Sequence, residues 1–174
     1  AEVSSNADWQ GFGVQKNRAL ALANSDWVLS IDADERVPPE LQVEILAAIK
    51  SNAFDVYSFP RLSSYCGQYM HHSGWCPDRV TRLFRRHSAR FSDDLVHEKI
   101  LTSSKVGVLH SPLLHESFRD LEAVLDKTNR YSSAGAKSLL SKRKTASVSK
   151  ALGHGFWAFF RTYFLRLGFL DGRL

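Results

Sequence analysis

Apolar positions recur along the chain in distinct rhythms, and each rhythm predicts an element. Over residues 13–25 (GVQKNRALALANS), Ala19, Leu22 and Ala23 share one face at helical spacing, with Asn24 and Ser25 ending the helix. The run at residues 27–31 (WVLSI) predicts a strand covered on both faces. VPPELQVEILAAIK predicts a second helix that begins at Pro38 or Pro39 and buries Leu41, Ile45, Ala48 and Ile49. Helix, strand, loop, helix is the grammar of an α/β protein. Between residues 54 and 108 the period shortens to the strand candidates DVYSFPRL, RVTRLFRR, ARFS and KVGVL, punctuated by Gly67, Gly74 and Pro77. Beyond Ser117 a long helix is expected, with Ser117 as N-cap, Asp120 in its first turn and Leu121, Val124, Leu125 and Thr128 as its stripe.

The 27–31 run ends in WVLSIDADERV, where Asp32, Asp34 and Glu35 crowd like charges at the end of an apolar strand. A divalent cation would offset that repulsion. In open α/β sheets ligands bind beyond the carboxyl ends of strands, where Asp32 and Asp34 would sit. Carboxylates at i and i+2 suit a hard cation, Mg²⁺ or Mn²⁺, completed by substrate phosphates. The plainer alternative is a solvated turn before a helix, with Glu35 facing the helix N-terminus. If the carboxylates repel one another, removing Asp32 or Asp34 should leave stability unchanged or slightly higher. Upstream, the glycines of DWQGFGVQKNRAL open a basic, amide-rich helix suited to phosphate oxygens, with Lys16 and Arg18 as cations. Neither a Walker loop nor a dinucleotide fingerprint is present.

The 174 residues, 44% hydrophobic and 24% charged, fit one soluble globular domain. A net charge of +5 and a pI near 9.4 point to an anionic partner: nucleic acid, a phosphorylated substrate or an anionic membrane. Cys66 and Cys76 are too few for a disulfide framework, which suggests a reducing compartment; with His71 and His72 between them they match no common zinc spacing. No apolar run approaches the roughly 20 residues of a membrane span. AEVSSNADWQ does not read as a natural start, so a fragment lacking an N-terminal portion is expected. Near the other end, Lys142, Arg143, Lys144 and Lys150 precede Phe156, Trp157, Phe159, Phe160, Tyr163 and Phe164, with Arg161 and Arg166 interspersed. Two readings stand equally: an amphipathic segment at a bilayer interface, or a core helix covering the sheet.

GFGVQKNRALALANSDWVLSIDADERV, followed by GWCPDRVTRLFRR, ARFSDDLVHEKI, LLHESF and KTNRYSSAGA, resembles the family 2 glycosyltransferases. More narrowly, it is similar to the branch that adds β-glucose to a heptose of lipopolysaccharide inner core. The resemblance runs from about Trp9 onward. It implies a GT-A-like, Rossmann-related mixed sheet flanked by helices, N-terminally truncated, with a helical C-terminal extension. The expected division is a partial catalytic domain over residues 1–118 and an extension over 119–174. The implied activity is that of a metal-dependent inverting hexosyltransferase using a nucleotide sugar, UDP-glucose, and a lipopolysaccharide core acceptor. Gln15, Lys16, Asn17, Asp32 and Asp34 would bind the donor, and Asp32 and Asp34 its metal. The family's opening "V-I-x-x-x-N-E" strand and second acidic strand, which hold base and ribose, have no counterpart here.

Inverting transfer needs a carboxylate to take the acceptor proton. Glu98, beside His97, is the first candidate and Asp94 the second, with Asp93 adjacent. His115 is a candidate further metal ligand, which would favour Mn²⁺. Trp75 would stack on an acceptor sugar while Asp78 and Arg79 bond its hydroxyls or phosphate. As a strand, RVTRLFRR turns Arg82 and Phe84 to the face opposite Leu83 and Arg85. The expected setting is the cytoplasmic side of a membrane, peripheral to an anionic inner face. Rival readings are a non-catalytic remnant binding a lipid-linked partner, a metal-dependent phosphotransferase or nuclease, and a basic nucleic-acid-binding module. The last leaves the acidic turn unexplained and carries no signature of its class, so no nucleic-acid partner is expected.

Overall fold

A computed structural model describes residues 3–94, 98–141 and 147–172, apart from the side chain of Ser138. His97, Lys142, Arg143 and Lys144 lie outside the described residues. Helix α1 (Phe12–Leu22) leads to strands β1 (Trp27–Leu29) and β2 (Glu35–Arg36) and to helix α2 (Pro39–Ser51). Strands β3 (Val56–Tyr65), β4 (Gln68–Tyr69), β5 (Arg79–Arg85), β6 (Arg90–Phe91), β7 (Ile100–Leu101), β8 (Val106–Val108) and β9 (Leu113–Phe118) follow. Helices α3 (Leu121–Ser141) and α4 (Val148–Phe160) come last, α4 running on into a π-helical turn (Arg161–Leu165) and a 3-10 turn (Gly168–Asp171). These elements form two compact units, one of residues up to Pro60 with Arg79–Leu113, the other of Arg61–Asp78 with residues from Leu114 onward.

In the first unit β5 lies between β1 and β3, antiparallel to both, and β8 runs parallel to β3. The register sets Phe84 opposite both Val28 and Val56, and Val56 and Phe84 are completely buried. Helix α2 begins as its prolines require, with Pro39 in the first turn, and ends where Asn52 takes a left-handed conformation. Its faces sort by helical period. Leu41, Ile45 and Ala48 pack with Tyr57, Phe59, Leu83, Leu109 and Leu113, and Ile49 joins from the margin.

Two expectations fail in this unit. Strand β1 is three residues long and only half-buried, with Leu29 and Ile31 exposed. It stands at the end of the strand order with β5 as its neighbour, so it lacks the cover of a central strand. Helix α1 is helical as expected but packs through another face. Ala19 and Leu22 are exposed, while Leu20 packs on the Val56, Phe84 and Phe91 cluster. Gly13, Asn17 and Leu20 stand at i, i+4 and i+7, and that stripe faces β6.

In the second unit the 61–65 half of β3 forms a hairpin with β4, pairing Ser64 with Tyr69 and Tyr65 with Gln68. Its two-residue turn, Cys66–Gly67, has positive φ at both positions, the geometry that matches strand twist. Ser117 belongs to β9 and is not a helix cap. Helix α3 starts later, and the Asp120 carboxylate accepts the Ala123 N–H at 2.8 Å. Helix α4 buries no side chain. The core-helix reading of the aromatic segment therefore fails within this unit: Phe156 is 70% and Trp157 53% exposed.

The buried face of α2 makes a direct prediction. Leu41→Ala should cost about 2–5 kcal/mol through lost packing and a residual cavity. Leu121→Ala, on a 60% exposed residue, should change stability by less than about 0.5 kcal/mol. Urea midpoints for the two variants measure the difference, and equal midpoints would contradict this assignment of the core.

Candidate functional sites: a charge-braced acidic turn and a polar pocket

The turn after β1 is braced by cations from two other elements. The Ser30 N–H donates to the Arg82 carbonyl at 2.8 Å, continuing the β1–β5 pairing by one residue toward the turn. Arg82 Nη2 then reaches Asp32 Oδ2 at 2.5 Å and Glu35 Oε1 at 2.8 Å. The other Glu35 oxygen accepts the Asp32 N–H at 2.9 Å, and the Glu35 N–H returns to the Asp32 carbonyl at 3.0 Å. Glu35 is thus a buried brace, its side chain wholly inaccessible. From α1, Lys16 Nζ lies 2.8 Å from Asp32 Oδ1 and 2.5 Å from Glu98 Oε1.

These contacts resolve the crowding of like charge. Burial by itself would raise the Asp32 carboxyl, but Lys16 and Arg82 hold it below the ordinary value. For Arg82, burial would lower the guanidinium, and the charges of Glu35 and Asp32 outweigh it and raise it. The stability expected for Asp32→Ala therefore inverts, because the substitution removes two ion pairs rather than a repulsion. Asp34 follows on the exposed turn. Among the described residues no three His, Cys, Asp or Glu side chains are gathered closely enough to hold a metal ion.

The remaining residues of this first site hold α1 against β6 and residues 92–94. Both ends of the Asn17 amide engage the Phe91 backbone, donating to its carbonyl and accepting its N–H, each at 2.9 Å. Asn17 thereby acts as a clamp on β6. Gly13 permits the approach: a Cβ there would fall against the Ser92 carbonyl group, 2.9 Å from its carbon. Asp94 accepts from Ser92 Oγ at 2.7 Å, and Asp93 lies exposed beside Arg90. Arg18 pairs with Asp8 at 3.1 Å. Gln15, Lys16 and Asp32 line one groove of about 840 Å³ with Trp9, Phe12 and Ile31.

The second unit holds a separate pocket of about 490 Å³, lined by Trp75, Asp78 and His115 together with Arg61, Ser63 and Arg166. Arg61 Nε and Nη2 both lie 2.8 Å from Asp78 Oδ2. His115 Nδ1 lies 2.9 Å from Ser63 Oγ and 3.2 Å from Ser117 Oγ. Trp75 is wedged edge-on against Tyr65 and Phe118, at 6.2 Å from each ring. Arg79 is not part of this lining. It belongs to the first unit, where its Nη2 donates to the Ser58 and Leu109 carbonyls at 3.2 and 2.8 Å.

Sequence reasoning assigned no site role to Arg82 or Arg166, and it gave Glu35 only the alternative of facing the helix N-terminus. For Arg82 a signal existed, since strand alternation turns it away from Leu83 and Arg85, but nothing in the sequence pairs β5 with β1. Arg166 carried only a charge within an aromatic run.

Comparison with known proteins adds a family and several relatives. A model of the family described as Glycosyl transferase family 2 matches residues 3–112. An uncharacterized glycosyltransferase of Rickettsia prowazekii is 30% identical over 94% of this chain and 60% of its own length. An uncharacterized glycosyltransferase of Rickettsia felis is 30% identical over 94% of this chain and 62% of its own length. The lipopolysaccharide core biosynthesis glycosyltransferase LpsC of Rhizobium meliloti is 33% identical over 94% and 60%. The chain thus spans about three-fifths of the length of these curated relatives.

The brace predicts an acid-dependent stability. Because the folded Asp32 carboxyl is lowered, its contribution is present above the ordinary value of 3.8 and lost as pH falls through the lower folded value. Arg82→Met should move that titration back up, and it should cost about 3–5 kcal/mol at neutral pH by leaving Glu35 buried without its cation. Carboxyl-carbon NMR titration and urea unfolding read the two effects. An Asp32 titration unmoved by the substitution would show that Arg82 is not its partner in solution.

Proposed function

Because this chain belongs to Glycosyl transferase family 2, with the mixed α/β, GT-A-like fold that membership carries, we propose that it transfers a sugar from a nucleotide-sugar donor to a glycan acceptor. The finer reading is glucose from UDP-glucose, delivered with inversion to a heptose of lipopolysaccharide or lipooligosaccharide core. The name of the Rhizobium meliloti relative favours that acceptor class. The observation that carries the proposal is the joining of Asp32 and Glu98 through one ammonium group, Lys16 Nζ, beside the groove of the first unit.

In this reading Gln15, Lys16, Asp32 and Asp34 receive the donor diphosphate, and Asn17 holds β6 beside them. The acceptor hydroxyl attacks the anomeric carbon in line with the departing diphosphate. The new C–O bond forms as the bond to the diphosphate oxygen breaks, the electron pair leaves with that oxygen, and the hydroxyl proton passes to Glu98, with Asp94 as the second candidate. Asp34 on the exposed turn and the half-buried Asp32, whose oxygens are shared with Lys16 and Arg82, offer two carboxylates to Mg²⁺ or Mn²⁺ completed by substrate phosphates. Asp32 and Asp34 would hold that cation, which when bound supplies charge neutralisation for the leaving group. Trp75 and Asp78 serve the acceptor side.

The exposed aromatics of α4 and of the turns after it support a seat at the surface of an anionic membrane; the acceptor class named above would put that seat on its cytoplasmic face. No helix among the described residues is long and apolar enough to cross a membrane. Bulky rings beside Lys150 and Arg161 suit the headgroup boundary, where each basic side chain contributes about 1 kcal/mol.

Two experiments test the reading. In the complete protein, Asp32→Asn and Asp34→Asn should each lower transfer at least about 100-fold, and Glu98→Gln should lower kcat far more than it raises KM for the donor. Normal turnover in Glu98→Gln with loss in Asp94→Asn moves the base to Asp94, and normal transfer in both Asp32 and Asp34 variants sinks the donor site. Separately, the chain should sediment with phosphatidylglycerol vesicles and be released only in part by high salt. Phe156→Ser with Trp157→Ser should weaken sedimentation without lowering the unfolding midpoint; absent sedimentation rejects the membrane seat.

A further inference from the structure

The chain's C-terminal turn is latched onto the 68–73 segment of the second unit through one buried carboxylate. Asp171 is 5% exposed and accepts the His71 and His72 N–H groups at 3.0 and 2.9 Å and the Ser73 hydroxyl at 2.7 Å, with His72 Nδ1 at 3.2 Å. Gln68 Nε2 donates to the Asp171 carbonyl, and the Ser73 N–H donates to the Arg166 carbonyl at 2.9 Å. The chain reaches this latch by unusual backbone geometry. A π-helical turn closes with the Arg166 N–H on the Arg161 carbonyl, and Leu167 then takes a left-handed φ of 54°.

The latch fixes where Arg166 lies. Its side chain crosses Gly74, where φ is +84° and a Cβ would come within 2.6 Å of Arg166 Cδ. Only glycine accommodates both that conformation and that contact. Arg166 is thereby laid along the wall of the 490 Å³ pocket.

Charge accounting within the pocket is uneven. Arg61 is paired with Asp78. Asp171, the other acid nearby, is engaged by backbone N–H groups, Ser73 and His72, and this holds its carboxyl below the ordinary value against the opposing effect of burial. No acidic side chain pairs with the Arg166 guanidinium among the described residues. The pocket therefore presents one uncompensated fork of N–H donors, the hydroxyls of Ser63 and Ser117, the His115 imidazole and the Trp75 indole. A guanidinium fork suits the paired oxygens of phosphate or carboxylate, while an aromatic face with hydroxyl partners suits a sugar ring.

We propose that this pocket binds a sugar bearing an anionic group, phosphate or carboxylate, with Arg166 on the anion and Trp75 beside the ring. The proposal rests on the transfer reading above only in naming this sugar as part of the acceptor; binding itself requires no donor.

The test titrates the chain with glucose 6-phosphate, glucuronate, glucose and inorganic phosphate, following the Trp75 indole N–H by NMR. At least one of the two anionic sugars should bind about tenfold or more tighter than glucose, the least that a charge-assisted hydrogen bond contributes, and tighter than inorganic phosphate. The tighter of the two identifies the anion. Arg166→Met should reduce that preference to within about twofold while the unfolding midpoint is kept, and Arg166→Lys should retain part of it. Equal affinity for charged and neutral sugars overturns the proposal, as does a preference that survives Arg166→Met. Selective binding without transfer in the complete protein would sink the acceptor reading and leave the site standing. Transfer without selective binding would do the reverse.

Discussion

The first unit depends on an alternation of charge that runs Glu98, Lys16, Asp32, Arg82, Glu35, with successive partners 2.5 to 2.8 Å apart. Each cation lies between two carboxylates, and the middle carboxylate lies between two cations. That order offsets the repulsion of an acidic turn at the end of an apolar strand. It also ties four separate stretches of chain to one another: α1, the turn after β1, β5 and the 98 region. Remove Arg82 and the turn loses two ion pairs to β5; remove Lys16 and the 98 region loses its tie to the turn.

Much of this architecture could be read from local sequence. The period of α2, its prolines and its buried stripe follow from propensity and spacing alone, and the strand candidates between residues 54 and 108 fall where β3, β5, β6 and β8 lie. The acidic turn was legible as a place of chemistry because its repulsion demanded an explanation. What was not legible is long-range pairing. Nothing in the sequence places Arg82 across from β1, so its cation could not be assigned to the turn. The packed face of α1 was misread because Gly13 and Asn17 contribute no hydrophobic signal, although backbone approach and an amide clamp orient the helix. Ser117 was a reasonable cap until β9 extended through it, leaving Asp120 to cap α3. The joining of residues 61–78 with the C-terminal part has no mark in composition at all.

The two units solve the same problem by different means. Each is organised about a carboxylate almost removed from water, Glu35 in one and Asp171 in the other. Glu35 is satisfied by a guanidinium and one backbone N–H, and Asp171 by two backbone N–H groups, a hydroxyl and an imidazole. Neutral donors leave nearby cations unmatched, which is why Arg166 keeps its charge available, whereas Arg82 does not.

The alternation in the first unit also has an unbalanced sum. Three carboxylates face two cations, so the chain of pairs carries a surplus of one negative charge within a protein of net charge +5. A polyphosphate is drawn from a distance by the positive whole and repelled at close quarters by the negative part. Salt screens the first effect, which acts across many ångströms of water, more than the second, which acts at contact. Encounter rate and residence time should therefore respond to ionic strength in different measure, and a phosphate-bearing ligand that arrives already neutralised, as a salt of a divalent cation, meets the least resistance.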